Sequence, residues 1–282
     1  MAFRDVLLQL RSYPDPTPTS VVDYAVQFSQ LMGARISALT FEININVPGN
    51  ALARAVVDIS GMIAAERGTS FRNARNLVAA FDTAATKANL AHDHFVERCL
   101  SSQIPDVVTD HARVHDLTIV PVDEHAAFQQ SVAECVIFKS GRPVLLLPAA
   151  TKSPELMRLD RVGLAWDFSR PAARAVADAL PLLLTAKSVS VVTITNEKAI
   201  NTSRSDSDLA RHLAAHGVEV ALEKHDAAGL TIGGALKKYA TMNKLDLLVM
   251  GAYGHSRMRD FVQGGATKSM VSSAPLPVFL SH

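Results

Sequence analysis

Four glycines near the carboxyl end have the clearest chemistry in this chain. Gly251 and Gly254 are followed, after nine further residues, by Gly264 and Gly265. Glycine adopts positive φ readily and lets backbone come close to a ligand. Ahead of them, Leu245, Leu247, Leu248, Val249 and Met250 form a hydrophobic run suited to a parallel strand covered on both faces. Behind them, Ala266, Met270, Val271 and Ala274 recur at helical spacing, which predicts a helix over 265–273. A helix opening on Gly264-Gly265-Ala266-Thr267 would present its unpaired N–H groups and positive dipole end to an anion. The chemistry this allows is the cradling of a phosphate by bare amides at the carboxyl end of a strand. The plainer alternative is a tight strand-to-helix turn with no ligand. Between the clusters, His255, Arg257 and Arg259 either contact phosphate or form the exposed basic face of a short helix, with Met258, Phe261 and Val262 anchoring it.

Other constellations are weaker. Histidines sit four apart at His111 and His115 and at His212 and His216, and His92-Asp93-His94 precedes a strand. No H-E-x-x-H and no cysteine cluster accompanies them, so solvated helix faces are expected and no metal site. There is no G-x-S-x-G to expose a nucleophile and no G-x-x-x-x-G-K-[ST] loop. Vigorous ATP turnover is therefore not expected; hydrolysis would be slow at most, with no evident base for water. Cys99 and Cys135 form no C-x-x-C and read as reduced thiols.

The elements that must position these residues alternate along the chain. Strands are expected at 6–10, 35–41, 95–99, 117–121 and 143–148, with helices over about 19–32, 104–114 and 126–138. Residues 50–90 are alanine-rich and predict two helices broken near Gly68. Pro143 and Pro148 bracket the fifth strand, which fits a place near a sheet edge. Thr151-Lys152-Ser153-Pro154 reads as a linker, after which the pattern restarts. Strands are expected at 161–166, 189–195, 218–223 and 245–250, with helices between. Ser169 and Pro171 read as the start of the first of these helices. Asp167 is either a further cap for that helix or a ligand contact. Arg142-Pro143-Val144-Leu145 and Leu276-Pro277-Val278-Phe279 end the two halves alike. This duplication predicts an α/β fold of two tandem doubly wound domains, 1–150 and 156–282, each a five-stranded, mainly parallel sheet with helices on both faces. Ligands of such sheets lie at strand carboxyl ends where the order reverses.

Composition sets limits. With 282 residues, 48% hydrophobic and 20% charged, each half can bury a core. Net charge +1 gives no global attraction to nucleic acid or acidic membranes. Neither a signal peptide nor an apolar run of about 18 residues is present, so a soluble cytoplasmic protein is expected.

The G-x-x-G-x9-G spacing, together with Ala165-Trp166-Asp167-Phe168-Ser169 after the first strand of the second half, resembles the universal stress proteins. The repeated pattern resembles their tandem two-domain members. The resemblance implies an adenine nucleotide as ligand: ATP, or ADP or AMP, with or without Mg2+. It places Asp167, flanked by Ala165 and Trp166, on the nucleoside and the backbone near Ile194 on adenine. Met250 and Gly251 would border ribose and phosphates. Gly254, Gly264 and the N–H groups of Gly265, Ala266 and Thr267 would hold the phosphates. One departure is Gly265, where binding members usually have Ser or Thr. A missing hydroxyl costs very roughly 1–2 kcal/mol, about tenfold in affinity. Thr267 is the candidate replacement. The first half departs further. It has no glycine over Val122 to Gln129, carries Asp123 and Glu124 there, and shows no clear match to Asp167 in Arg11 to Asp15. It is expected to keep the fold and lack the phosphate site, with the alanine-rich segment making contacts in place of ligand.

The resemblance further implies pairing of strands 143–148 and 277–281 within the chain, a homodimer, and a protein partner that reads nucleotide occupancy in a stress response. Two alternatives remain: an interaction or structural module without nucleotide, and an adenylating enzyme with a second substrate.

Overall fold

Alternate residues along each buried strand face opposite layers of helices, and this period of two sets the architecture. The computed structural model describes residues 2–44, 59–124, 127–151, 157–196, 204–253 and 265–282. The first half comprises β1 (Asp5–Gln9), α1 (Thr19–Met32), β2 (Arg35–Ile43), α2 (Ile59–Lys87) and β3 (His92–Cys99). A single 3-10 turn then leads into α3 (Ile104–Ala112), β4 (Leu117–Val122), α4 (Ala127–Lys139) and β5 (Val144–Pro148). The second half comprises β6 (Arg161–Ala165), α5 (Arg170–Thr185), β7 (Ser188–Thr195), α6 (Asp206–Ala215) and β8 (Val220–Asp226). It ends with α7 (Ile232–Met242), β9 (Leu247–Gly251), α8 (Ala266–Ser272) and β10 (Val278–Ser281). The linker expected at 151–154 falls largely in 152–156, outside the described residues.

All ten strands form one sheet in the order β3-β2-β1-β4-β5-β10-β9-β6-β7-β8. Every neighbouring pair is parallel except β5 and β10, which run antiparallel with Leu145 opposite Phe279. Each half is thus a doubly wound unit, and the last strand of each closes the seam, the pairing that the resemblance implies for 143–148 and 277–281. Val22, Phe28, Phe81, Val176 and Leu213 of α1, α2, α5 and α6 pack with Leu8, Leu164 and Phe279 on one face. Val108, Val136, Leu236 and Met270 of α3, α4, α7 and α8 pack with Leu7, Leu248 and Leu280 on the other.

Three expectations need correction. β5 is interior to the sheet, not at an edge; its prolines sit outside or at the end of the ladder, where Pro143 offers only its carbonyl, to Thr118 N–H (3.2 Å). α2 runs through Gly68 as one helix of 29 residues. Ala74, Leu77, Phe81 and Ala85 bury one face of it, and that burial outweighs the roughly 1 kcal/mol cost of a helical glycine. His92 and His94 lie within β3, not before it, and His115 is buried, its ring Nδ1 2.7 Å from the His111 carbonyl.

The duplication extends to a detail not read from the sequence. Asp116 accepts the backbone N–H groups of Arg4 and Asp5 (2.8 and 3.1 Å). Asp246 does the same for Asp160 and Arg161 (both 2.8 Å). Each carboxylate ties the start of its half's first strand to the neighbouring strand at the switch point.

Candidate functional site

The order of the second half reverses between β6 and β9, and the candidate residues gather at the carboxyl ends of these strands and of β7. Ala165 ends β6, and Trp166 N–H bonds the Val192 carbonyl (2.9 Å), so β7 runs on past β6 through Thr193, Ile194 and Thr195. On that side these last residues of β7 have no strand partner. Ile194 is partly buried there. The Trp166 ring meets Phe168 (centroids 5.3 Å apart), and its Nε1 is buried with no partner among the described residues.

Asp167 is exposed, and its Oδ1 accepts the Ser169 N–H (3.0 Å). The helix cap is Ser169, whose Oγ accepts the Ala172 N–H (3.2 Å). Asp167 therefore shapes the turn before the cap, with Phe168 in left-handed backbone (φ 59°), and is not itself the cap.

The glycines divide by physical role. A Cβ on Gly251 would stand 2.5 Å from the Pro171 carbonyl carbon and within 2.4 Å of the Ala172 nitrogen. Only glycine lets the end of β9 lie against the first turn of α5. Gly265 is the opposite case. It precedes α8 with ordinary extended backbone (φ −61°, ψ 145°), and nothing lies within 4 Å of where a Cβ would stand. Gly254 and Gly264, with His255, Arg257, Met258, Arg259, Phe261 and Val262, lie outside the described residues.

Thr267 Oγ1 is buried and accepts the Tyr253 N–H (3.0 Å). This bond ties together the two ends of the glycine segment. Ala266 is partly buried beside it, and Met250 is buried in the core under α7 and α8. Tyr253 is the residue that sequence reasoning missed. Its hydroxyl donates to Glu134 Oε1 of α4 (3.0 Å), and its ring lies on Phe138 (centroids 4.2 Å). Burial, and then the facing Glu134 carboxylate, push the hydroxyl well above the ordinary tyrosine range.

The first half fills the equivalent place with its own side chains. Val6 pairs with Leu117 as Val162 pairs with Leu247. That register sets Arg11 where the second half has Asp167, and Pro121 where it has Gly251. Gln129 of α4 is buried and donates to Gln9 Oε1 (2.8 Å) and to the Pro121 carbonyl (3.0 Å), leaving a residual space of about 10 Å³, roughly one water. Over the end of β2, Ser70 of α2 accepts the Ile43 N–H (3.0 Å), and Asn73 donates to the Ser12 carbonyl (2.9 Å).

Among the described residues no group of three or more His, Cys, Asp or Glu side chains is placed to hold a metal ion, and no helix is long and apolar enough to cross a membrane.

No protein-family model and no curated protein matches the sequence. Solved structures do match. A universal stress protein from Archaeoglobus fulgidus aligns over 98% of this chain and 95% of that chain, with TM-score 0.71 and 17% identity. A functionally unknown protein from Pseudomonas aeruginosa aligns over 99% and 92%, with TM-score 0.56 and 11% identity. Over nearly its whole length, the chain has the universal stress protein fold.

Proposed function

We propose that the chain is a tandem universal stress protein whose second half, 156–282, binds ATP or the related ADP or AMP, with or without Mg2+, while 1–150 serves as a ligand-free scaffold. The observation that carries this reading is the Tyr253–Thr267 bond. It brings both ends of the G-x-x-G-x9-G segment together at the switch point between β6 and β9, where doubly wound sheets take ligands. In this reading Asp167, beside Ala165 and Trp166, contacts the nucleoside, and the overhanging backbone at Ile194 meets adenine. Met250 and Gly251 border the ribose. Gly254, Gly264 and the amides of Gly265, Ala266 and Thr267 hold the phosphates.

The mechanism is sensing. Occupancy alters the surface around the glycine segment, and a protein partner in a stress response reads it. Hydrolysis in this reading is slow at most, since the sequence has no G-x-x-x-x-G-K-[ST] loop. A homodimer of such a cytoplasmic protein would use a surface other than β5 and β10, which are already paired.

A second reading, an interaction module without nucleotide, draws on one observation. Gly265 supplies no hydroxyl, and the hydroxyl of Thr267 is already engaged with Tyr253. The deciding experiment is to denature the purified protein and identify released small molecules by mass spectrometry, then titrate the protein with millimolar ATP and Mg2+, beside a Gly254→Val control. Adenine nucleotide held by the wild type alone supports the sensor. A wild type that stays empty in both assays leaves the interaction module.

A further inference from the structure

Tyr253 occupies the last position before Gly254 in the glycine motif, yet the groups that fix its side chain belong to the other half of the chain. Glu134 accepts its hydroxyl hydrogen at 3.0 Å, and Phe138 lies against its ring with centroids 4.2 Å apart. Phe138 also meets the His282 ring (5.3 Å), and His282 Nδ1 lies 2.9 Å from the Ala252 carbonyl. The backbone of Tyr253 is left-handed (φ 53°) although it is not glycine. Such a conformation persists only where the surroundings over-determine it. Its N–H is spent on the buried Thr267 Oγ1. One residue thus joins β9, α8 and α4, and a phenol bonded to a carboxylate is among the stronger neutral-donor contacts.

We propose that Tyr253 is a positioning residue through which the first half sets the nucleotide affinity of the second. Glu134 and Phe138 fix the chain where it leaves β9, and the Thr267 bond passes that constraint to the start of α8. The scaffold half is then part of the binding site's support, although it touches no ligand. This rests on the nucleotide reading above.

The test uses the full chain. Tyr253→Phe keeps the ring and removes the bond, Glu134→Ala removes the acceptor, and Glu134→Gln keeps one. ATP is titrated with Trp166, the chain's single tryptophan, as the fluorescent reporter. Amide exchange at residue 253 is followed without ligand. Tyr253→Phe and Glu134→Ala are each expected to weaken ATP binding about 3- to 10-fold and to speed exchange at residue 253, in line with typical coupling between sites. The double variant should be no worse than the weaker single, as two halves of one contact require. Glu134→Gln should stay within about twofold of wild type, a rescue that general loss of packing would not give. A wild type that binds ATP while Tyr253→Phe and Glu134→Ala bind equally well overturns this proposal alone. Glu134→Gln behaving like Glu134→Ala also overturns it. A wild type that takes up no ATP overturns this proposal and the nucleotide reading together.

Discussion

Gly251 and Gly265 look alike in the motif and are opposite in the fold. Gly251 has backbone 2.4–2.5 Å from where its Cβ would be, whereas Gly265 has open space. Gly251→Ala should therefore destabilise the protein by about 1–3 kcal/mol through overpacking against α5, read as a lower midpoint in chemical denaturation. Gly265→Ser should change stability by only a few tenths of a kcal/mol. If the second half binds nucleotide, it should also tighten ATP binding by up to about tenfold through a regained hydroxyl. A weakened affinity in Gly265→Ser would show that the space beside it serves something else. The spacing of the glycines was legible because it is local. Tyr253 was not, since its partner Glu134 is 119 residues away. The tyrosine also carries a pH dependence. Its folded value lies above the ordinary value of 10.0, so its contribution is complete below about pH 10 and is lost as pH rises toward the folded value. Tyr253→Phe should flatten the alkaline loss of stability, measured by denaturation between about pH 9 and 11. Tyr24 and Tyr239, also raised, keep some of it.

At the scale of elements, strands buried on both faces were read from their apolar runs to within a residue or two. The outer strands were less legible. β3 and β8, the two sheet edges, mix exposed and half-buried positions without strict alternation, so their polar residues masked where they begin and end. α2 was misread because a glycine within an alanine-rich segment suggested a break, while tertiary packing decided for one helix. Its glycine has only the tip of Arg72 near a would-be Cβ (3.3 Å). Gly68→Ala is accordingly expected to stabilise the protein by about 0.5–1 kcal/mol, seen as a raised thermal midpoint. Ser70→Ala should act in the other direction. It leaves the Ile43 N–H without its buried acceptor, at a cost of about 1–3 kcal/mol. The same helix closes over the carboxyl ends of the first strands: Ser70 and Asn73 satisfy backbone groups there.

At the scale of the whole molecule, the two halves differ in what fills their switch points. If the second half binds nucleotide, then with Gln129 and α2 in place in the first half, calorimetric titration should return one nucleotide per chain, and a value near two would contradict the filled switch point of the first half. The hydrophobic layers run unbroken across the β5–β10 seam, so both halves should unfold in one transition. Phe279→Ala, at the centre of the seam, should cost about 3–5 kcal/mol and lower the stability of both halves together by amide exchange. The seam also imposes an order in time. β5 leaves the ribosome with one side unpaired, and its partner β10 follows about 130 residues later, an interval of roughly 7–26 s at ordinary rates of synthesis. Until then the nascent first half carries a bare apolar strand edge, the kind of surface that seeds aggregation. The dependence of β5 on β10 is thus a demand on cellular protein handling: a chain without β10 would leave that edge bare, and chaperones and proteases would see it as unfinished.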